Sequence, residues 1–442
     1  MTKPLSIEDV PLNSFHQLLT VRSGGGWLLD GYVLSIIGVA MVQISAALNL
    51  GSFWEGMVAS SALIGIFFGG FLGGSLTSIL GRQKLYFVGP SIFILSSIAQ
   101  FWADSGVTLF VLRFIIGIGV GFEYTAAGAL LVEFLPSKHR GPRLAMLTIL
   151  WFAGAALAYI VGNMILSGGN PEAWRWVLAS PAVIGALLLL IRIGTPESPR
   201  WFVSKGRMQE AEQVIKKVYG ASFSLRNLPE ETTTQKGSLA TLLRAGYGKR
   251  MFFVAMFWSC SVIPVFAVYA FAPKVLQALH LKDEWAAFGS VFITVLFVVG
   301  CVIATKLINV IGRRSLVIHS FLWSGLALLG LGGFADSSEM LVLGLFGAYA
   351  VFIGGAQVLQ LVYPNELFPT EIRSLAVGMG ASFSRIGAAV GTWLVPMSLQ
   401  SVGIGNTMFA AAAVTLVGLL VSVALAPETR HLSLQEAASL KR

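Results

Sequence analysis

The chain has few charged residues: aspartate, glutamate, lysine and arginine make up only 12% of its 442 residues. A soluble globular protein carries about 25%, so this chain lacks the charge needed to cover a surface that faces water. Hydrophobic residues make up 55% of the sequence. This composition argues against a water-soluble domain and predicts a membrane protein with several spanning segments.

Cysteine is also scarce, and the usual signatures of enzymes are missing. The two cysteines, Cys260 and Cys301, lie in apolar segments, so no disulfide framework is expected. The five histidines lie in polar segments or at helix ends, and neither a phosphate-binding loop nor a catalytic triad is visible. The sequence therefore predicts no enzyme, no cofactor and no metal site.

No cleavable leader is expected either, because the first 23 residues are polar and mixed in charge. The net charge of +9 comes from short basic connectors, GRQK (81–84), SKHRGPR (137–143) and GRR (312–314). All of them fall on one side of the predicted membrane, as the positive-inside rule requires of the cytoplasmic side. We therefore expect cytoplasmic termini and no nucleic-acid partner.

Long apolar runs are what the sequence has in abundance. A spanning helix needs about 20 apolar residues, and the runs between polar connectors give twelve candidates. Residues 1–194 form a first half of six spans, 195–250 a cytoplasmic, partly helical linker, and 251–442 a second half with a short cytoplasmic tail. The predicted spans are 25–48, 56–79, 85–103, 107–134, 144–166, 174–194, 252–272, 286–308, 315–334, 340–362, 375–397 and 406–426.

The two halves repeat each other. Three motifs of the first half recur in the second at nearly one offset, and a parallel repeat of this kind predicts a central cavity between the halves. Gly-Arg at 81–82 returns at 312–313, Pro-Glu-Ser at 196–198 returns as Pro-Glu-Thr at 427–429, and Glu-x-x-Pro-x-x-x-Arg at 133–140 returns at 366–373.

These motifs carry a family resemblance. Together with PESPRW (196–201), the R-F-x-x-G-x-G-x-G run (113–121) and WRW (174–176), the half-repeat resembles the major facilitator superfamily. Within it, the chain resembles the sugar-porter branch and its relatives, which include aromatic-acid and organic-ion transporters. The resemblance implies an all-α membrane protein of twelve transmembrane helices in two pseudo-symmetric halves. It also implies a monomer in the bacterial inner (plasma) membrane, with a small-molecule substrate, protons and the lipid bilayer as partners.

The sequence departs from the family pattern in two places. Ser78 and Asn309 stand where the family has an acid beside the Gly-Arg motif. The network of salt bridges that closes the gate in this family is therefore expected to be weakened. Val33 stands where proton-coupled sugar porters have an acid, and Asp30 lies three residues earlier, as in aromatic-acid symporters. The residues expected at the gates are Arg82, Arg113, Glu133, Arg140, Arg313, Glu366 and Arg373.

Two acids lie inside predicted spans, where a charge costs about 2.5–3.5 kcal/mol on insertion scales. We expect Asp30 in the cytoplasmic third of helix 1 and Glu123 near the middle of helix 4, sharing a hydrated pocket as proton carriers. Alternatively, Asp30 caps or hydrogen-bonds a neighbouring helix, and an arginine holds Glu123 permanently.

Two arginines also lie inside spans. Arg113 is ten residues from Glu123, about 15 Å along a straight helix, so it needs another partner and has either a structural or a coupling role. Arg385 lies at the midpoint of the eleventh span. A guanidinium is well suited to bind a carboxylate with two hydrogen bonds, although Arg385 could instead neutralise Asp30 or Glu123.

Neutral polar and aromatic residues are further candidates for the cavity wall. Gln357 is the repeat counterpart of Tyr124, at an offset of 233, so both are expected to face the centre. Amides inside a membrane need partners, which favours a site role for the two glutamines. The candidates are Tyr32, Tyr124, Trp151, Trp258, Tyr269, Gln357, Gln360 and Trp393.

The leading hypothesis is a secondary active transporter that imports a small polar metabolite, an organic acid, by proton symport with alternating access. The first alternative is a sugar or polyol facilitator, which PESPRW and WRW support. The second is an exporter of organic cations or drugs, which the absence of proline from the fifth span (147–166) disfavours. A receptor or scaffold is disfavoured because the linker is too short to be a signalling domain.

Overall fold

The computed structural model describes residues 6–228, 243–244, 246–430, 432 and 434–439, without the side chains of 137, 138, 140–142, 145, 283, 370, 371, 373–375, 434 and 435. This part of the chain is helical and contains no β-strand, which confirms the all-α class. The helices are α1 (Ser14–Ala47), α2 (Ser52–Leu80), α3 (Arg82–Ala99), α4 (Gly106–Phe134), α5 (Ser137–Leu166), α6 (Ala173–Ala179), α7 (Pro181–Arg192), α8 (Pro199–Ser204), α9 (Met208–Tyr219), α10 (Gly248–Ala278), α11 (Asp283–Leu307), α12 (Arg313–Gly333), α13 (Glu339–Leu367), α14 (Thr370–Ser401), α15 (Gly403–Leu425) and α16 (Leu434–Ala438).

Eleven segments of the described chain are long and apolar enough to cross a membrane, with α6 and α7 together forming one of them. The long helix α14, with 32 residues, packs against α2 and α10 and completes the set of twelve. The sequence-based prediction of twelve spanning helices agrees with this architecture. The short helices α8 and α9 lie in the predicted linker, which is partly helical as expected.

Helix α1 begins earlier than the hydropathy pattern indicates. The side chain of Asn13 accepts a hydrogen bond from the backbone N–H of His16 (3.0 Å), and His16 Nδ1 accepts one from the backbone N–H of Asn13 (3.1 Å). This reciprocal cap satisfies two N–H groups at the helix start. Because α1 starts at Ser14, Asp30 is the seventeenth of its 34 residues. The expected position in the first third of the helix is therefore wrong.

Glycines let α4 approach α2 closely, and the second half repeats the arrangement. A Cβ on Gly121 would lie 2.4 Å from the backbone of Gly69, and one on Gly354 would lie 2.4 Å from the backbone of Gly300. These glycines are repeat counterparts, at offsets of 233 and 231. Such close packing of small residues is the common way for membrane helices to associate, so the repeat extends from motifs to helix contacts.

The two Pro-Glu motifs cap the third helix of each half. Glu197 accepts hydrogen bonds from the backbone N–H groups of Arg82 (3.0 Å) and Gln83 (2.9 Å) at the start of α3. Glu428 accepts equivalent bonds from Arg313 (3.0 Å) and Arg314 (3.1 Å) at the start of α12. A carboxylate is favourable at a helix N-terminus because free N–H groups and the helix dipole meet there. The caps explain why Pro-Glu and Gly-Arg recur together.

The halves close against each other at the end of the bundle away from α8 and α9, here called the distal side; the opposite end is the linker side. The Lys274 ammonium of α10 pairs with the Glu55 carboxylate at the start of α2. Nearby, a Cβ on Gly56 would lie 2.2 Å from the carbonyl oxygen of Trp393 on α14. An ion pair and a backbone contact thus join the two halves on this side.

A break in α10 creates a second cross-half contact. Pro273 has no N–H for the carbonyl of Tyr269 four residues earlier, and the helix is interrupted at Phe271 (φ −139°, ψ 16°). The Tyr159 hydroxyl of α5 donates a hydrogen bond of 2.8 Å to that free carbonyl. The break therefore gives the first half a place to bind the second half.

Candidate functional site

A central cavity of about 60 Å³ lies between the two halves. Six residues that the sequence predicts for a substrate site lie together in its wall: Tyr124, Trp151, Trp258, Gln357, Gln360 and Arg385. The remaining lining residues are Trp27, Thr148, Phe152, Val262, Val265, Phe266 and Leu361. The predicted aromatic and amide residues from both halves thus converge on one space.

The amide side chains are held in place by α10. Gln357 donates a hydrogen bond to the carbonyl of Ser261 (2.8 Å), and Gln360 donates one to the Ser261 hydroxyl (2.9 Å). Gln360 also donates to the side-chain oxygen of Gln357 at 2.6 Å. The side-chain oxygen of Gln360 accepts no hydrogen bond within the described part of the chain. The pair can therefore recognise a hydroxyl or amine of a bound molecule.

The guanidinium of Arg385 reaches the cavity from the middle of α14. It lies 5.1 Å from the ring centre of Phe266 and 5.8 Å from that of Tyr124, within the range of cation–π attraction. In the described part of the chain it forms no ion pair. Arg385 is half-buried, and aromatic faces compensate only part of the cost of leaving such a cation without an ion pair, so the site favours an anion.

Asp30 is fully buried on α1 and lies beside the cavity rather than in its wall. Neither carboxylate oxygen has a hydrogen-bond partner among the described residues. The charged groups that act on it electrostatically are Glu123, Arg192 and Arg385. Trp27, one helical turn away on α1, lines the cavity and packs its ring 4.9 Å from that of Tyr124.

Glu123 is held by an arginine that the sequence analysis does not single out. Arg192 Nη1 donates a hydrogen bond to Glu123 Oε2 at 2.8 Å, and Nη2 donates to the other carboxylate oxygen. Both side chains are fully buried, and the guanidinium lies 3.6 Å above the ring of Tyr86. Glu123 thus lies in a closed ion pair and not in a hydrated pocket, as the alternative of an arginine partner predicts. Its role in proton coupling stays a prediction.

Four other predicted residues lie outside the cavity wall. The Tyr32 hydroxyl is hydrogen-bonded to Ser180 at 2.8 Å and is buried between α1 and the sixth span, so the expected contact with the cavity is wrong for this structure. Arg113 is buried as well and donates a 3.4 Å hydrogen bond to the carbonyl of Val33. Among the described residues it has no acidic partner, and Tyr269 and Trp393 belong to the distal contact instead.

The expected gate pairs form inside each half on the linker side. Arg82 contacts Glu133 at 3.0 Å, and their counterparts Arg313 and Glu366 are 3.1 Å apart. Arg313 also donates to Asn309 at 3.1 Å, so this amide takes over part of the missing acid's contact. The side chains of Arg140 and Arg373 lie outside the described residues.

Three charged residues of the structure were missed by sequence reasoning: Arg192, Glu55 and Lys274. Arg192 lies near the end of the sixth span, where an arginine is ordinarily assumed to reach the membrane surface. The apolar run LLLLIRIG (187–194) continues on both sides of it, and this was the available signal. Glu55 and Lys274 lie at span ends too, and the sequence gives no sign that they meet.

Comparison with known proteins decides the family. The model described as "Sugar (and other) transporter" matches residues 19–440. The chain belongs to this family. The inner membrane metabolite transport protein YgcS of Escherichia coli (strain K12) is 37% identical over 439 residues, which cover 99% of this chain and 97% of YgcS. The arabinose–proton symporter of Bacillus subtilis (strain 168) is 27% identical over 460 residues, which cover 98% of each protein.

A solved structure supports the fold of this sugar-transporter-family chain. The xylose transporter XylE from E. coli, in a partially occluded inward open conformation, aligns with a TM-score of 0.82 at 21% identity, covering 95% of this chain and 100% of XylE. This likeness confirms the predicted fold, and the family match over residues 19–440 confirms the predicted sugar-porter branch. The protein is a multi-pass membrane transporter with relatives in the bacterial inner membrane, and not an enzyme.

Proposed function

We propose that this transporter moves a small organic acid together with protons, by alternating access. The observation that carries the proposal is Arg385, a guanidinium in the central cavity without an ion pair in the described chain. A carboxylate can accept two parallel hydrogen bonds from it, and in a low-dielectric cavity this contact is stronger than in water. The substrate carboxylate thus supplies the negative partner that Arg385 lacks within the described part of the protein.

Asp30 is the proposed proton carrier. A carboxylate without hydrogen bonds in a buried site is tolerated in its neutral form, whereas Glu123 is compensated by Arg192. Proton release from Asp30 requires water to reach it, and in this structure the Asp30 side chain is fully buried. A ligand can drive a conformational change only by binding the two states differently. In the proposed cycle Asp30 is hydrated in one state and excluded from water in the other. Its affinity for a proton therefore differs between the two states.

We further propose that the linker side is cytoplasmic, so that the structure is closed toward the outside. The basic connectors support this orientation through the positive-inside rule. The contacts Glu55–Lys274 and Tyr159–Tyr269 on the distal side would then form the outer gate. Import requires these contacts to open and the linker side to close.

A stabilisation screen tests the substrate class. Purified protein is heated with small carboxylates, with their amides and with sugars, and the apparent Tm is recorded. Carboxylates that raise Tm in the wild type and have no effect in Arg385→Gln support the proposal. Stabilisation by sugars alone, unchanged in Arg385→Gln, refutes it.

Sugar transport is the second candidate. The hydrogen-bonded pair Gln357 and Gln360 suits hydroxyl groups, and the arabinose–proton symporter is among the relatives. Removing a buried amide that binds a substrate hydroxyl leaves that hydroxyl without a partner. Gln360→Leu is therefore expected to weaken a sugar ligand strongly and a simple monocarboxylate little, which separates the two candidates.

A further inference from the structure

A second cavity, of about 370 Å³, lies between α2 of the first half and α14 of the second. Met57, Ile64 and Phe67 line it from α2, and Ile386 and Ala389 line it from α14. The rim residues Phe68, Ile386 and Val390 are exposed, so this crevice opens sideways toward the surface that faces lipid.

Arg385 borders both this lateral crevice and the central cavity. Apart from it, the crevice wall is hydrocarbon and aromatic, interrupted by Ser60 and the Trp393 indole. The Ser60 hydroxyl is already directed at the carbonyl of Met57 (3.3 Å). A sugar placed in the crevice would lose the hydration of its hydroxyls with few partners in exchange. An apolar group would instead gain from burial.

The dimensions and charge of the crevice define one kind of occupant. It extends along α14 from Arg385 to Trp393, eight residues or about 12 Å. At the end of the crevice that borders the central cavity, the Arg385 guanidinium has no ion pair among the described residues, and the crevice walls are apolar. We propose that the crevice binds the apolar part of an amphiphilic carboxylate whose carboxylate group is bound by Arg385. This inference rests on the proposed organic-acid function and narrows its substrate class to carboxylates with an aromatic or medium-length aliphatic body.

Binding of three matched probes to the full-length protein in lipid nanodiscs tests the inference. 4-Phenylbutyrate has both the carboxylate and the apolar body, propionate has little apolar body, and 4-phenylbutyramide lacks the charge. We expect 4-phenylbutyrate to bind at least about tenfold more tightly than either of the others, because only it uses both parts of the site. This comparison uses the wild type, so it does not depend on a variant that folds.

Two variants locate the binding. Ala389→Phe fills the crevice one turn from Arg385 and is expected to remove the advantage of 4-phenylbutyrate over propionate. Ala413→Phe, at an exposed alanine of α15, is the size-matched control and should leave that advantage intact. Arg385→Gln is expected to abolish the preference of the protein for the carboxylate over the amide.

Three results would contradict the crevice proposal, and they differ in what they mean for the proposed organic-acid function. If propionate and 4-phenylbutyrate bind equally and both need Arg385, the crevice proposal is wrong and the organic-acid function stands. If 4-phenylbutyramide binds as tightly as 4-phenylbutyrate, the crevice is an ordinary lipid-facing groove and the proposal is overturned. If no carboxylate binding depends on Arg385, both the crevice proposal and the proposed function fail.

Discussion

Arg192 and Glu123 form a fully buried ion pair between the sixth span and α4, beside an Asp30 that has no hydrogen-bond partner in the described chain. A Cβ on Gly26 would lie 2.0 Å from Glu123 Oε1 and 2.3 Å from Arg192 Nη2, so α1 also packs against the pair. The pair joins three helices of the first half. It distinguishes the two acids: Arg192 compensates the charge of Glu123, whereas Asp30 is the proposed proton carrier.

Removing one partner of this pair should destabilise the protein severely. Glu123→Gln leaves the Arg192 cation buried without its carboxylate, a change that typically costs about 3–5 kcal/mol. The double variant Glu123→Gln/Arg192→Gln should recover much of that loss, because no charge then remains. Apparent Tm values of the four proteins form a double-mutant cycle. Additive losses in that cycle would show that the pair does not act as a unit.

The ion pair between Glu55 and Lys274 should hold the distal side closed. Separating it by Glu55→Gln is expected to raise the population of the distally open state about tenfold, equivalent to about 1.4 kcal/mol. The measurement is the rate at which an impermeant maleimide labels Ala59→Cys, a buried position of α2 at the interface between the halves. All variants are made in a parent protein in which the buried native cysteines Cys260 and Cys301 are replaced, so that the maleimide reacts with the introduced thiol.

The charge-swapped protein Glu55→Lys/Lys274→Glu is the control for this experiment. It keeps the attraction with the opposite polarity, so its labelling rate should return toward that of the parent. A swapped protein that labels as fast as Glu55→Gln would show that the pair does not close the gate.

The cap at the start of α12 should make stability depend on pH. Burial opposes ionisation of Glu428, but four backbone N–H donors outweigh it and hold the pKa of this carboxyl below its usual value of 4.5. The ionised cap therefore stabilises the fold above pH 4.5, and this contribution is lost as pH falls through the lowered pKa. Glu428→Gln should lower the apparent Tm at pH 7, and the difference should shrink toward pH 3. A difference that stays constant over this range would contradict the assignment.

Its counterpart provides an internal comparison. Burial raises the pKa of Glu197 despite its own backbone donors. A group with a raised pKa favours the fold in its protonated form, so the sign is opposite: its contribution grows as pH falls. Glu197→Gln should accordingly show a smaller loss of Tm at pH 7 than Glu428→Gln.

Much of the fold was predictable because its signals are local or repeated. Apolar runs predict the spans, and recurring motifs predict the two halves and place Gln357 and Tyr124 around one cavity. The start of α1 was missed because its cap, Asn13 with His16, precedes the apolar run. The Arg192–Glu123 pair was missed because it joins residues 69 positions apart, and hydropathy carries no information about such pairing.

Accumulation of a substrate carboxylate by proteoliposomes under an imposed pH gradient tests the central claim that Asp30 couples proton movement to transport. The substrate is a carboxylate identified by the stabilisation screen, and exchange of labelled for unlabelled substrate without a gradient reports transport that needs no net proton movement. We expect the wild type to accumulate substrate and to take up protons. Asp30→Asn should lose gradient-driven accumulation while retaining exchange. If the Asp30→Asn protein still accumulates substrate with the pH gradient, Asp30 is not the residue that couples proton movement to transport.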